Sequence, residues 1–339
     1  MITRQDMDYH LEKMQSATDE ATRYLWAETL YIPFAVPEQR LFGSIYTLAR
    51  PGLGVTLSEI KVFRGLGRTR FDAAYSDNRQ QLPAPKEFSR FTLASGVTVD
   101  LTRGPEHYAI SYQGHDNTSV DLKLEALMPG YDIHDPAMDP VARKTAAEQA
   151  AHSGFGASYG GHYDQTCRVR GQLILRGEKF AIDYVDCMDR SWGPRPEVGC
   201  PDMCWMHAIF GADYSMHAIW KFDINAAVDA QYSFAHGYVL ENGVVHGLTA
   251  ATMTVDRVGI WGSSYQLNVT DIRGKQHTFH GAPMASGLWE CFPCVGVADL
   301  LNRWVTDDGR VGYGEIQEAV FYDHYTTTQA HRQVVSGLR

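Results

Sequence analysis

Gln172-Leu173-Ile174-Leu175-Arg176-Gly177-Glu178-Lys179-Phe180-Ala181-Ile182-Asp183-Tyr184 alternates on either side of Arg176-Gly177, and it runs on into Asp186-Cys187-Met188-Asp189-Arg190-Ser191-Trp192-Gly193-Pro194-Arg195. Alternation is the strand period, and a two-residue turn ending in glycine supplies the positive φ that a tight hairpin needs. The second part, dense in acid, base and indole, leads into a loop containing Pro194, Pro196, Gly199 and Pro201. The pattern predicts a strand that ends in charged residues and holds them over whatever the sheet encloses.

The same period extends in both directions. Upstream, segments 29–36, 43–49, 55–63 and 69–75 read as strands separated by Pro and Gly, followed by 88–101 folded at Ser95-Gly96, then 108–112 and 120–128. Downstream, 205–210, 215–222, 231–240, 244–254, 264–270, 277–280 and 314–322 continue it, with hairpin signals at Glu241-Asn242-Gly243, Arg273-Gly274 and Asp307-Asp308-Gly309. Two stretches break the rule, the N-terminus and segment 129–161. Met7, Leu11, Met14, Thr18, Ala21 and Leu25 recur at helical spacing, which predicts one amphipathic helix. Segment 129–161 is a loop with a helix candidate at 141–151 and the run Gly154-Phe155-Gly156-Ala157-Ser158-Tyr159-Gly160-Gly161, and it is the natural place for a boundary or a lid. The expected fold is all-β: an N-terminal helix and two barrel-like or sandwich-like antiparallel domains, over residues 1–158 and 159–339.

Composition narrows the function classes. A chain of 339 residues with a net charge of −10 and no basic run gives no electrostatic reason to bind nucleic acid. Aromatic residues make up 12% of the chain, as suits sheets around an apolar interior and a hydrophobic small-molecule partner. The N-terminus lacks signal-peptide order and no apolar run reaches spanning length, so a cytoplasmic protein without membrane insertion is expected; a homodimer is compatible with this. Six cysteines do not make a disulfide scaffold. Cys200, Cys204, Cys291 and Cys294 have loose spacing for zinc, and no phosphate loop, His-Glu-x-x-His or Gly-x-Ser-x-Gly is present, so neither a metal nor another cofactor is expected.

Met188-Asp189-Arg190-Ser191-Trp192-Gly193, with His162-Tyr163-Asp164-Gln165 leading into Gly171, resembles the lipocalin-like hydratase superfamily, which includes carotenoid hydratases, kievitone hydratase and AttH-like proteins. It is most similar to a bacterial branch that carries Asp-His-Ser-Trp-Gly at this point. Trp26-Ala27-Glu28 and Gly312-Tyr313-Gly314, followed by Glu318, echo it. The resemblance implies two calycin-like β-domains packed around a hydrophobic ligand site. Arg190 departs from it, standing where relatives have His, so no imidazole role carries over.

Asp189 is the leading candidate for chemistry. A carboxyl beside an indole and away from water has its ionised form disfavoured and can hold a proton near neutral pH. The alternative is an ion pair with Arg190 or Arg195. Trp192 is either a wall of the ligand site or an aromatic plug. Arg195 either holds a substrate oxygen in its fork or braces Asp189 or Glu197. His162 and Tyr163 could relay a proton or donate to an enone oxygen, or only bond at the surface; Glu28 could position water or pair with an arginine. Trp26, Trp205 and His207, the last two on one face of a strand, are further candidates for the ligand wall. The expected function is a cofactor-independent hydratase or dehydratase using general-acid catalysis on a hydrophobic unsaturated terpenoid, steroid-like or phenolic compound. A non-catalytic carrier and an isomerase or cyclase using the same acid are the alternatives.

Overall fold

The structure, a computed structural model, describes residues 1–17 and 19–326. The first sheet contains β1 (Trp26–Val36), β2 (Leu41–Arg50), β3 (Val55–Arg64), β4 (Tyr75–Pro83), β5 (Arg90–Thr92), β6 (Val97–Asp100), β7 (His107–Gln113), β8 (Ser119–Ala126), β9 (Tyr131–Asp132), β10 (Gly161–Leu175) and β11 (Glu178–Pro194). They run in the order β4-β3-β2-β1-β11-β10-β8-β7-β6-β5, with β9 on β10. The second unit is a closed barrel of β12 (Met203–Ile209), β13 (Tyr214–Phe222), β14 (Tyr232–Glu241), β15 (Val244–Val258), β16 (Trp261–Asp271), β17 (Gln276–Trp289), β18 (Val295–Thr306) and β19 (Val311–Phe321). The fold is therefore the expected all-β pair of antiparallel domains.

The hairpin at 161–194 is the centre of the first sheet. Arg176 and Gly177 both take positive φ, 51° and 86°, and β10 pairs with β11 from Leu175–Glu178 back to Gly161–Trp192. Because β11 also pairs with β1, and β10 with β8, both strands belong to the first unit. The chain crosses to the barrel between Pro194 and Met203, not at the expected break between 158 and 159. Segment 129–160 breaks the strand pattern because it is an excursion between two strands of one sheet. It contains a helix, Ala146–His152, begun by the Thr145 capping box. The acid-rich stretch is the charged end of a strand, as expected. β11 extends through Pro194, and the two-residue period sends its side chains alternately to opposite faces.

Two other expectations change for local reasons. The N-terminal segment is a 3₁₀ turn (Arg4–Met7), α1 (Leu11–Gln15) and α2 (Glu20–Leu25), not one helix. Asp19 caps α2 by accepting from the Thr22 N–H, which starts a new helix; Thr18 lies outside the described residues. The stretch 69–75 is no strand, because a Thr69–Asp72 capping box winds Arg70–Asp72 into a 3₁₀ turn before β4 begins.

Three apolar layers result. The first sheet curls around its own core of Leu30, Ile32, Phe34, Val99, Leu122 and Tyr163, closed by Met7 and Met14 from the N-terminal segment. The barrel interior is filled by Trp220, Trp304, Tyr265, Met206 and Met216, and a buried Arg257–Glu318 pair at 2.9 Å lies near one end of it. The third layer joins the outer faces of the two units through Tyr31, Tyr46, Phe155, Trp205, Trp289 and Phe321. Among the described residues, no helix is long and apolar enough to cross a membrane.

Candidate active site

Alternation along β11 splits the acid-rich stretch. Met188, Arg190 and Trp192 point into the core of the first sheet; Cys187, Asp189 and Ser191 point at the barrel. Asp189 and Ser191 reach a cavity of about 70 Å³, room for a few waters. Its wall also includes Tyr46 of β2, Arg195, Trp205 of β12 and Trp289 of β17. Phe155, Tyr159 and Phe292 line it from segments outside the strands.

Asp189 is the cavity's acid. Burial pushes its carboxyl up from 3.8 to about 7, and Asp164 adds to this, while the charges of His162 and Arg195 oppose it. Among the described residues it makes no hydrogen bond or ion pair, so neither Arg190 nor Arg195 braces it. What surface it retains faces the cavity. Arg195 likewise has no carboxylate partner: Nη1 donates to the Tyr46 hydroxyl at 3.0 Å, Nη2 donates to Ser191 Oγ at 2.9 Å, and Glu197 pairs with Arg50 instead. Ser191 Oγ also lies 2.6 Å from Thr29 Oγ1. The result is a buried cation and a neutral-leaning acid in one aromatic enclosure.

Behind this wall, Asp164 organises the histidines. Its Oδ2 lies 2.9 Å from His162 Nε2 and 3.0 Å from His217 Nε2, and its Oδ1 accepts from Trp205 Nε1 at 2.8 Å. Burial alone would raise the Asp164 carboxyl, but the two imidazoles hold it well below 3.8. Burial works against charge on His162, and Asp164 reverses the balance, raising it above 6.5. His162 stacks on Tyr159 with ring centroids 4.0 Å apart, and its Nδ1 is buried without a partner. His207 meets the edge of Trp205 at 5.0 Å and lies 2.8 Å from Asp186, so it supports the cavity wall without lining it. A further polar group fixes the aromatic walls: Tyr31 donates to Glu315 at 2.6 Å, Trp289 Nε1 donates to Glu59 at 2.6 Å, and Lys61, paired with Asp299, lies 3.5 Å over the Trp289 ring.

Donor atoms of Asp164, Cys187 and His217 gather within 4.8 Å of one another, the arrangement best suited to a metal among the described residues. Here they form a chain of their own, with His217 Nδ1 3.7 Å from the Cys187 sulfur, and burial keeps that thiol protonated. The cysteines weighed for zinc do not converge: Cys204 faces the barrel core, while Cys200, Cys291 and Cys294 lie in the layer between the units.

The remaining candidates lie on the far face of the first sheet. Glu28 accepts from Arg190 Nη2 at 3.0 Å and from Trp26 Nε1 at 3.0 Å, and lies 3.1 Å from His10 Nδ1. Burial would raise its pKa, but Arg190 and His10 keep it low, as an ionised carboxylate. Arg190 also donates to the Asp6 and Asp8 carbonyls at 2.8 and 2.6 Å, so this cluster ties the N-terminal segment to the sheet. Trp192 stacks on His10 at 3.8 Å, and Tyr163 donates to the Met7 sulfur at 3.7 Å. Trp26, Glu28, Tyr163 and Trp192 are thus separated from the cavity by the sheet. The Trp192-Gly193 pair has a packing reason: a Cβ at Gly161 would fall 2.0 Å from the Trp192 indole, and one at Gly193, where φ is 149°, 2.5 Å from the Ala157 carbonyl. Tyr46, Tyr159, Ser191 and Trp289 were missed. For Ser191 the signal was available, since it is two residues from Asp189.

The solved structures similar to this chain share its two-unit fold. Kievitone hydratase from Nectria haematococca superposes with a TM-score of 0.52 at 13% identity, with 88% of each chain covered. CghA gives 0.57 at 11% identity, over 89% of this chain and 88% of its own. At these identities the likeness is one of fold alone. Comparison of the sequence with curated proteins finds no match. Residues 12–320 match the model of a domain of unknown function, DUF7064, and the chain belongs to that family.

Proposed function

We propose that the protein is a cofactor-independent hydro-lyase that adds water to, or removes it from, a hydrophobic unsaturated small molecule of terpenoid, steroid-like or phenolic type, with Asp189 as general acid. The observation that carries this reading is an acid shifted to about 7 and, among the described residues, free of hydrogen bonds, facing a cavity with an aromatic wall. A group titrating near the working pH is both populated as the acid and able to give its proton up. In the hydration direction the Asp189 O–H bond breaks as a C–H bond forms at one alkene carbon. Water oxygen bonds the other carbon, and the proton that water sheds returns to the Asp189 carboxylate. Dehydration is the same path reversed. Asp164 and His162 act behind the wall, setting the field in which Asp189 titrates. Trp205, Trp289 and Phe155 provide apolar contact for the substrate.

The test is incubation of the protein with a panel of terpenoid and phenolic alkenes in water labelled with heavy oxygen. Label entering a product, and absent with Asp189→Asn, supports the reading. Ligand bound equally by both forms and converted by neither would identify a carrier. Conversion without label would identify an isomerase or cyclase using the same acid.

A further inference from the structure

Arg195 is the feature of the cavity that general-acid hydration of an isolated alkene leaves unused. Its guanidinium is buried, stays charged in a protein, and makes no ion pair among the described residues. It lies 5.0 Å over the Phe155 ring, and its Nε–H has no acceptor among the described residues. The Tyr46 hydroxyl accepts from Arg195, and no acceptor for its own proton is found among the described residues, although the ring lines the cavity. A buried cation without a counter-charge is costly to retain, and two donors converging beside an empty space are complementary to a negatively charged oxygen. They are poorly suited to a carbocation, because a positive centre on the substrate would form beside a fixed positive charge. The Coulomb cost of that is opposite in sign to what an enolate would gain at the same place.

We propose that the substrate is a conjugated carbonyl compound whose oxygen docks on Arg195 and Tyr46, so that the reaction passes through an enolate. This rests on the hydro-lyase reading and narrows it. In hydration, water oxygen bonds the β-carbon while the alkene electron pair shifts to give the enolate, whose oxygen is held by the Arg195 guanidinium and the Tyr46 hydroxyl. Asp189 then gives its proton to the α-carbon, the carbonyl re-forms, and the added oxygen loses its extra proton to the Asp189 carboxylate. One water is consumed and the acid is regenerated. Dehydration runs the same path backwards: Asp189 gives its proton to the β-hydroxyl, the resulting carboxylate removes the α-proton to form the enolate, and water departs from the β-carbon as the carbonyl re-forms, leaving Asp189 protonated as at the start.

The experiment separates the oxygen subsite from the chemistry. A nitrophenol, whose absorbance reports its own ionisation, serves as an uncoupled mimic of the enolate. It is titrated into the wild type, Arg195→Met, Arg195→Lys and Tyr46→Phe, with circular dichroism to confirm folding. The wild type should bind the phenolate in preference to the phenol, with about tenfold or greater loss of that preference in Arg195→Met, the size expected for one charge-assisted contact. Arg195→Lys should recover part of it, and Tyr46→Phe should lose a smaller part. In parallel, matched pairs of an enone and its isolated-alkene analogue are assayed for incorporation of heavy oxygen. Labelling of the enone alone, reduced in Arg195→Met, supports the proposal. Labelling of isolated alkenes that depends on Asp189 and persists in Arg195→Met would overturn the enolate route while leaving the hydro-lyase reading intact. Arg195-dependent phenolate binding with no labelling of any alkene would overturn the hydro-lyase reading but keep the oxygen subsite. Equal binding of phenol and phenolate by the wild type would overturn the subsite itself.

Discussion

Replacing Asp189 with Asn should both stop turnover and stabilise the protein, and the second effect has a pH signature that can be worked out in advance. Burial moves the carboxyl from 3.8 to about 7 in the folded chain. Between those values the native protein holds a proton that the unfolded chain has released, so the stability of the wild type falls as pH rises from about 4 to 7 and then levels off. A shift of that size corresponds to at most about 4 kcal/mol, and the cavity-facing surface of the carboxyl makes this an upper bound. Asn carries no such penalty. Denaturant unfolding of the two forms should give similar stabilities near pH 4 and a gap in favour of Asp189→Asn that grows to pH 7 and is constant above it. Buried Glu59, also pushed up to about 7, contributes equally to both curves and drops out of the difference. Turnover by the wild type should fall above pH 7 as the acid is lost. A stability difference that does not vary with pH would refute the claim that Asp189 is a desolvated acid, whatever the activity data showed.

On the far face of the sheet, Glu28→Gln leaves the Arg190 guanidinium buried without its counter-charge and should cost about 3–5 kcal/mol in denaturant unfolding; in the protein that remains folded, ligand affinity should be unchanged. Asp164→Asn removes the charge that holds His162 above 6.5. The wild type gains stability from His162 that is complete below pH 6.5 and is lost as pH rises through the raised value, and an NMR titration of the imidazole should show that value falling in the variant. Gly193→Ala places a methyl group 2.5 Å from the Ala157 carbonyl. It should push segment 156–160 off the sheet, seen as faster proteolysis there and weaker ligand binding, with little change elsewhere.

The parts of this fold set by local chemistry were legible. Arg176-Gly177 and Asn242-Gly243 carry the positive φ of two-residue turns, and both hairpins form where those residues predict them. The division of the site was not legible, and the reason is the depth of the central strands. In β1, Trp26 through Ala35 are buried on both faces, so no exposed side marks which face meets the barrel. The same holds for β11 from Val185 to Gly193, where Asp189 alone among these residues is less than fully buried. The sequence motif groups Asp189 with Trp192 as one site, whereas the two-residue period puts Asp189 and Ser191 on one face and Arg190 and Trp192 on the other. What it could not supply was the partner of each face. The helical period at the N-terminus misled for a simpler reason: Asp19 is compatible with a helix by polarity but starts a new one by capping.

The position of the cavity follows from how the two units fill themselves. An eight-stranded barrel is just wide enough for side chains to occupy its interior, and here Trp220 and Trp304 do so, leaving polar groups room there only as a tight pair such as Arg257 and Glu318. The first sheet closes over its own core in the same way. Titratable groups therefore concentrate in the third layer, between the outer faces, and most of them are matched: His162 and His217 to Asp164, His207 to Asp186, Lys61 to Asp299, Tyr31 to Glu315. A network needed only to hold the two units together would leave no charge over, since an unmatched buried group costs stability. Among the described residues Asp189 and Arg195 have no ionic partner, and both border the empty space. Their arrangement is the one expected where a ligand, and not the folding of the chain, completes the network.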